Sequence, residues 1–380
     1  MRYFLVLFIC YLFDFGIGTG IFVLLPVYAS KFGASPSFIG NYLASASIAI
    51  ALGSLLGGWL ADKFQRRKYI YISICMLDIP IFFLMTLLTN IWQLVFYTII
   101  LWFSGGIKLM MLFTLLGLYS KKSNRRKMFT LFHLFGVLGS LMTSLSFGPI
   151  ADILGYRSLF YFITLLSLGV FILSFFLRDI KKRKYLIAAT KTAQNVRFGK
   201  LFYLFLIAST CAWIGSAVFQ VGRSIVMNLS GFSSTHISHT MSISSIVILP
   251  LIIGITWLLD HVKHKPLLIY TYVLQIIFLV ILANASILWH FWIASIVMGV
   301  FYILVNSVGQ TITTDIVPKK SLGKALALYN TTLYLGSILG DSYIGFAIDK
   351  LGNSLPFMIA AILPIVALIL IIPVKLKNKQ

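Results

Sequence analysis

Apolar runs of about twenty residues follow one another along the whole chain, separated by short polar connections. A run of that length crosses the hydrocarbon core of a bilayer as a helix, at about 1.5 Å per residue. Barrel strands would read instead as weaker alternating segments of about ten residues. The pattern predicts twelve spans, at residues 3–29, 37–61, 68–89, 91–118, 128–151, 157–178, 200–227, 236–260, 265–284, 288–315, 322–348 and 354–374. The expected protein is all-α and polytopic. It has one six-helix bundle at 1–178, a second at 200–380, and a basic cytoplasmic linker at 179–199 between them.

The polar connections are not alike. Gly58-Trp-Leu-Ala-Asp62-Lys63-Phe-Gln-Arg66-Arg67-Lys68 separates the second and third spans. A helix ending in Asp62 sets a carboxylate at the negative end of its own macrodipole, unfavourable by a few tenths to about 1 kcal/mol. The cations that follow, or the N-terminus of another helix, would compensate it. The chain then repeats the stretch: Trp59-Leu60-x-Asp62 returns as Trp257-Leu258-x-Asp260, and Arg66-Arg67 as His264-Lys265, all at an offset of 198. A second series is offset by 197: Gly139-Ser140, Gly148, Asp152-x-Leu154-Gly155 and Phe160 return as Gly336-Ser337, Gly345, Asp349-x-Leu351-Gly352 and Phe357. Two series at nearly one offset, close to half the chain, indicate a duplicated architecture.

Composition agrees with the membrane assignment. Apolar residues make up 59% of the chain and charged ones 11%, against roughly 25% charged in soluble domains. The mean hydropathy is +0.97. Of the 31 Lys and Arg, 26 fall in the even-numbered connections and at the two termini. Basic residues mark the cytoplasmic side, so both ends are expected inside the cell membrane. That asymmetry accounts for the net charge of +22 without nucleic acid. Met1-Arg-Tyr-Phe-Leu begins like a signal peptide, but Asp14 interrupts the run and no small-residue cleavage site follows, so a retained first helix is expected. Cys10, Cys75 and Cys211 lie within spans, which suggests neither a disulfide framework nor a metal site.

Charge inside spans is the sharpest chemical signal. All nine acidic residues are Asp; Asp14 and Asp78 lie near mid-span and Asp341 deep in span eleven, while Lys108 and Arg223 are the basic residues within spans. A charge at the bilayer centre costs at least about 2.5–3.5 kcal/mol on insertion scales, so each needs a partner or a wet cavity. Asp14 and Lys108 are expected to form an ion pair, either one that exchanges partners or a permanent bridge between helices one and four. Asp78 has no evident role in the sequence beyond a hydrogen bond to a neighbouring helix. Spacings of three and four residues put Ser216, Gln220 and Arg223 on one face of span seven, and Tyr302, Asn306 and Gln310 on one face of span ten. Gly53, Gly57, Gly58, Gly105, Gly106, Gly136, Gly139, Gly336 and Gly340 are expected to allow close helix approach, and Gly148-Pro149 to bend or end span five.

With these residues in view the chain resembles the major facilitator superfamily. Gly58-x-Leu60-Ala61-Asp62-Lys63-x-x-Arg66-Arg67-Lys68 matches its signature loop between helices two and three, with Gln65 where a glycine is usual. The weaker copy at Trp257–Lys265 extends the likeness to the second half. Within the superfamily the chain is similar to bacterial drug–proton antiporter-like exporters. It keeps Gly148-Pro149 of their helix-five signature but has Ser144, Asp152-Ile153 and, in helix four, Trp102 in place of the usual residues.

The resemblance implies two bundles rocking about a midplane site lined by helices one, four, seven and ten. It also implies a conformational latch of Gly58, Asp62, Arg66, Arg67 and Asp260, in which Asp62 meets the start of helix eleven near Leu322–Ala325 in the outward-open state and Asp260 meets the start of helix five near Lys127 to His133. Asp14, Lys108, Gln220, Arg223, Tyr302, Asn306, Gln310 and Asp341 are the candidate coupling and cavity residues. Expected partners are a small molecule with an anionic or zwitterionic group, protons as coupling ion, and lipid; the expected state is a monomer without cofactor or metal. Proton-coupled export is the expected activity. A non-transporting sensor and a lipid flippase on the same fold are the alternatives. An enzyme would need a catalytic constellation, and none is visible.

Overall fold

The computed structural model describes residues 2–121, 124–179, 198–318 and 321–372, and among them all regular structure is helical. The helices are α1 (Arg2–Ser30), α2 (Pro36–Lys63), α3 (Arg67–Leu84), α4 (Ile91–Tyr119), α5 (Arg125–Ile153), α6 (Gly155–Ser174), α7 (Lys200–Leu229), α8 (Ser234–His261), α9 (His264–Ala283), α10 (Leu288–Ile316), α11 (Leu322–Leu351), α12 (Leu355–Ala360) and α13 (Ile362–Ile371). Ten of the described helices, α1 to α10, are long and apolar enough to cross a membrane. The thirty-residue α11 and the broken stretch α12–α13 occupy the eleventh and twelfth predicted spans. Nearly all of the expected linker, and the side chain of Asp260, lie outside the described residues.

One expectation about a helix end needs correction. Pro149 does not end its helix, since α5 continues through it to Ile153. The chain turns instead at Gly155, whose φ of +83° leaves only Leu154 between α5 and α6. The left-handed region favours glycine because it has no Cβ to clash with the following carbonyl. The positive-φ glycines repeat the sequence offsets: Gly33 pairs with Gly231 at 198, and Gly155 with Gly352 at 197. Gln65 is the one described non-glycine residue with positive φ, at +51°, in the turn between α2 and α3. It stands where the signature loop ordinarily has glycine.

The described chain divides into two compact units. Unit 1 comprises residues 1–34, 45–187 and 231–245; unit 2 comprises 35–44, 188–230 and 246–380. In unit 1, a Cβ on Gly16 would stand 2.7 Å from the Gly139 carbonyl, so α1 and α5 meet backbone to backbone. One on Gly106 would stand 2.7 Å from Ser54 N, which brings α2 and α4 equally close. In unit 2, Gly336 and Gly340 hold α11 against Trp213 and Ile214 of α7. Small residues let helices approach where lipid tails compete equally for apolar contact. Gly58 and Gly105 depart from this expectation, with no neighbour within 4 Å of a built Cβ. Aromatic packing fills the remaining space: Tyr11 stacks on Phe132 at 3.8 Å in unit 1, and Phe278 packs edge-on to Phe219 and Phe301 in unit 2.

Each unit contains the same small clasp. In unit 1 the Asp152 carboxylate, at the end of α5, accepts the Ser234 N–H at 3.1 Å and the Thr235 N–H at 2.7 Å, at the start of α8. In unit 2 the Asp349 carboxylate, at the end of α11, accepts the Ser37 N–H at 2.8 Å, at the start of α2. One turn back from each carboxylate a glycine lets the partner helix close in: a Cβ on Gly148 would stand 2.8 Å from Thr235 Cα, and one on Gly345 would stand 2.8 Å from Gly40 Cα. Free N–H groups and the positive end of a helix dipole suit a carboxylate.

Replacing Asp152 by Ala should therefore cost about 1 kcal/mol, as loss of an N-terminal cap does, and raise thiol labelling of a cysteine placed at Ser234. Unchanged labelling would show that the clasp does not hold α8. At the α2–α3 turn, Gln65→Gly should be neutral or raise the melting temperature. Gln65→Val should lower it, because a β-branched residue is disfavoured at positive φ.

Candidate functional site

Five side chains from three helices converge in unit 1. Asp14 comes from α1, Tyr71 and Asp78 from α3, and Ser104 and Lys108 from α4. Tyr71 and Asp78 are seven residues apart, and Ser104 and Lys108 four, so each pair shares a helix face. Lys108 Nζ stands 2.7 Å from Asp14 Oδ1 and 2.6 Å from Asp78 Oδ2. Tyr71 Oη donates to Asp14 Oδ2, and Ser104 Oγ to Asp78 Oδ1. Each of the four carboxylate oxygens thus has its own donor. The side chains of Lys108, Asp14 and Asp78 are 12%, 7% and 3% exposed. Beneath them lie Cys10, Cys75, Met111 and Leu112, all buried.

Electrostatically the cluster is unbalanced, with two carboxylates against one ammonium. In a medium where unit charges interact several times more strongly than in water, one bound proton makes it neutral. The arrangement can therefore hold or release a proton while Lys108 keeps a carboxylate partner in either state.

Unit 2 is built differently at the corresponding positions. Gln275 stands 197 residues after Asp78, and Ala212 stands 198 after Asp14. Gln275 Nε2 donates to the Ala212 carbonyl at 2.8 Å, so a neutral amide joins α9 to α7 where charges join α3 to α1. The charge in this unit sits elsewhere. Arg223, 3% exposed on α7, donates through Nη1 to Ser295 Oγ of α10 at 3.0 Å and lies 5.3 Å from the Phe219 ring centroid. Among the described residues it has no carboxylate partner. Gln220 Nε2 makes a long contact to Ser216 Oγ, Asn306 donates to the Tyr302 carbonyl, and Tyr302 packs edge-on to Trp213 at 5.9 Å. Gln310 is exposed. Asp341 is not part of this group; it is buried on α11, where its carbonyl lies 2.5 Å from a built Gly40 Cβ.

The signature residues lie at one end of α2 and α3. Asp62 and Arg66 are exposed, whereas Arg67 is fully buried, donates to the Gln65 carbonyl and lies within electrostatic reach of Asp179 and Asp62. Lys68 Nζ donates to the Phe175 carbonyl, and 197 residues later Lys265 Nζ donates to the Ile372 carbonyl, each cation closing the C-terminal end of a helix. In the structure the offset at this turn is 197, which sets His264-Lys265 against Arg67-Lys68 and not Arg66-Arg67; His264 Nδ1 lies 2.8 Å from Asp315 Oδ2.

Comparison with known proteins bears on this geometry. The profile described as Major Facilitator Superfamily matches residues 7–283 and 205–380. The chain belongs to the Major Facilitator Superfamily. Its fold is also that of solved transporters. The crystal structure of nucleoside transporter NupG superposes with a TM-score of 0.76 at 18% identity, covering 98% of each chain. A POT family transporter in complex with 5-aminolevulinic acid gives 0.77 at 12% identity, over 97% of this chain and 94% of that one. A bacterial homolog of the human lysosomal transporter Spinster, inward-facing and unoccupied, gives 0.66 at 14% identity, over 97% and 93%. At these identities the likeness shows the fold alone. No curated protein sequence matches. This superfamily member is a multi-pass membrane transporter and not an enzyme.

In this transporter the Asp14–Lys108 pair is joined by an acid that the sequence left without a role. The signal was available: Tyr71 and Asp78 share a face of α3, and a single Lys faced two mid-span Asp. Removing Lys108 alone should leave two buried carboxylates without a cation, a change that costs about 3–5 kcal/mol. Lys108→Met is expected to be poorly folded, whereas Asp14→Asn, which leaves one neutral pair, should purify with a melting temperature within a few degrees of the parent. Comparable melting of both variants would show that Lys108 does not bridge the acids.

Proposed function

We propose that the chain is a proton-coupled secondary transporter in which the Asp14–Lys108–Asp78 cluster carries the coupling proton. The observation that supports this reading is the unbalanced cluster, with every carboxylate oxygen held by a donor. A purely structural bridge needs one acid for one base. The second acid supplies a place for a proton that can come and go without stranding Lys108. In the alternating-access cycle of the superfamily, protonation would release one carboxylate from Lys108 and leave the other paired.

The same reading makes the substrate a small molecule with an anionic or zwitterionic group, supported by Arg223 of unit 2, which has no carboxylate partner among the described residues. Direction is outward, as the resemblance to drug–proton antiporter-like exporters suggests. The basic connections support a cytoplasmic position for both termini of a cell-membrane protein. Gly58, Asp62, Arg66, Arg67 and Asp260 would then form the cytoplasmic latch between helix ends.

The test starts from liposomes containing the purified protein, with a panel of small anions, cations, sugars and drugs screened for thermal stabilisation. Ligands that stabilise are then followed as radiolabelled flux under an imposed pH gradient. Asp14→Asn and Asp78→Asn should each reduce gradient-driven accumulation at least tenfold while retaining counterflow exchange. Accumulation that survives both substitutions, or that ignores the pH gradient, rules out the cluster as the coupling site.

A further inference from the structure

A crevice of about 330 Å³ lies between α1, α5 and α6 of unit 1. Its walls are Leu12 and Phe13 of α1, Met142 and Ser146 of α5, and Phe162 and Leu166 of α6. All six stand within about two turns of the middle of their helices, which is the depth of the hydrocarbon core. The mouth opens away from α8. Ser144 accepts hydrogen bonds from Ser238 and Ser242 of α8, and it lies about 200° round α5 from both Met142 and Ser146. Met142 is 54% exposed and Phe162 is exposed as well, so the rim belongs to a face that α8 leaves uncovered.

The hydroxyls of the wall are spent within the protein. Ser146 Oγ donates to the Met142 carbonyl at 2.8 Å, and Thr143 Oγ1 to the Gly16 carbonyl at 2.8 Å. A polar ligand would lose hydration there without recovering it. An apolar space left empty forfeits the dispersion contacts of its lining, and at this depth the lipid chains are the molecules at hand to supply them. The second repeat closes the same place with its own side chain. Tyr343 stands 197 residues after Ser146, and its hydroxyl donates to the Pro356 carbonyl at 3.0 Å, which carries the ring from α11 across to α12. Leu339 and Ile359, both exposed, repeat Met142 and Phe162 at the same offset.

We propose that the crevice between α1, α5 and α6 binds one acyl chain of a bilayer lipid, and that Ser146, where the repeat has a tyrosine, is the residue that keeps it open. The chain enters past Met142 and Phe162 and packs against Leu12 and Phe13. Those two residues immediately precede Asp14, so the bound chain braces the turn of α1 that carries the carboxylate to Lys108. The inference needs neither a substrate nor proton coupling, because lipid occupancy is read on the resting protein.

Purified full-length protein would be placed in nanodiscs of phosphatidylcholine, part of it carrying a photoactivatable diazirine near the end of one acyl chain. After irradiation, the labelled residues are mapped by mass spectrometry. Label is expected on Leu12, Phe13 and Leu166, the inner wall, as well as on the exposed Leu165 of the same helix, which reports ordinary surrounding lipid. Ser146→Tyr should lower inner-wall labelling at least fivefold and leave Leu165 unchanged. Should Ser146→Tyr fail to fold, Ser146→Leu serves in its place, and Phe162→Ala, which widens the mouth, should raise the label on Leu12. An unlabelled Leu12 and Phe13 in the parent protein overturns the proposal, and so does inner-wall labelling that none of these substitutions alters. Crosslinks between two copies of the chain through Met142 and Phe162, without lipid label on Leu12, would assign the crevice to a second copy and overturn it equally.

Discussion

The burial of Lys108 between two carboxylates constrains most of unit 1. An ammonium inside a membrane span is tolerated only with a counter-charge, and two short Asp side chains reach it only if α1, α3 and α4 lie close together. The packing around them provides that approach. Gly16 and Gly139 bring α5 to α1, Gly53 and Gly106 bring α2 to α4, and Tyr11 stacked on Phe132 fills the space that the glycines leave. Tyr71 and Ser104 then use the oxygens that Lys108 does not reach. Charge, close backbone contact and aromatic filling depend on one another here, so the cluster is as much a packing constraint as a chemical one.

Unit 2 repeats the scaffold without repeating the chemistry. The starts of α1 to α5, the positive-φ glycines and the Asp clasps recur at offsets of 197 or 198, and so do the Lys-to-carbonyl contacts at the ends of α6 and α13. These are backbone requirements: a turn, a free N–H, an open carbonyl. Both halves must meet them to fold. The mid-span polar residues diverge, with Gln275 and Ala212 standing where unit 1 has Asp78 and Asp14. Divergence at these positions is the expected mark of function laid over a duplicated framework, since a fold does not itself specify an activity.

Much of this was legible in the sequence, and the reasons for the rest are physical. Hydropathy located the helices because a span has to be apolar along its whole length, and the repeat was visible because turns require particular residues. Asp14 and Lys108 stood out as charges in apolar runs. Asp78 stood out equally, but its partner depends on how α3 is rotated against α4, which periodicity along one helix does not fix. Pro149 misled because a proline need not end a helix whose next turn is stopped by a glycine, as Gly155 does here. Gly58 and Gly105 misled because a small residue reads the same whether it faces a neighbouring helix or open space.

The exclusive use of Asp among the acids fits the same constraints. Asp152 and Asp349 reach backbone N–H groups at helix starts, Asp14 and Asp78 share one ammonium, and Asp315 meets His264 at the end of α10. Each task sets a carboxylate about one side-chain length from a backbone or a rigid partner. The longer Glu would have to fold back and lose more rotamer freedom in doing so. Arg223 contrasts with all of these. It is long, buried and charged, yet no acid in the described chain is spent on it. In a chain that places its few acids so specifically, this cation is held by a hydroxyl and an aromatic ring, so its burial depends on the packing of α7 against α10 and not on an ion pair.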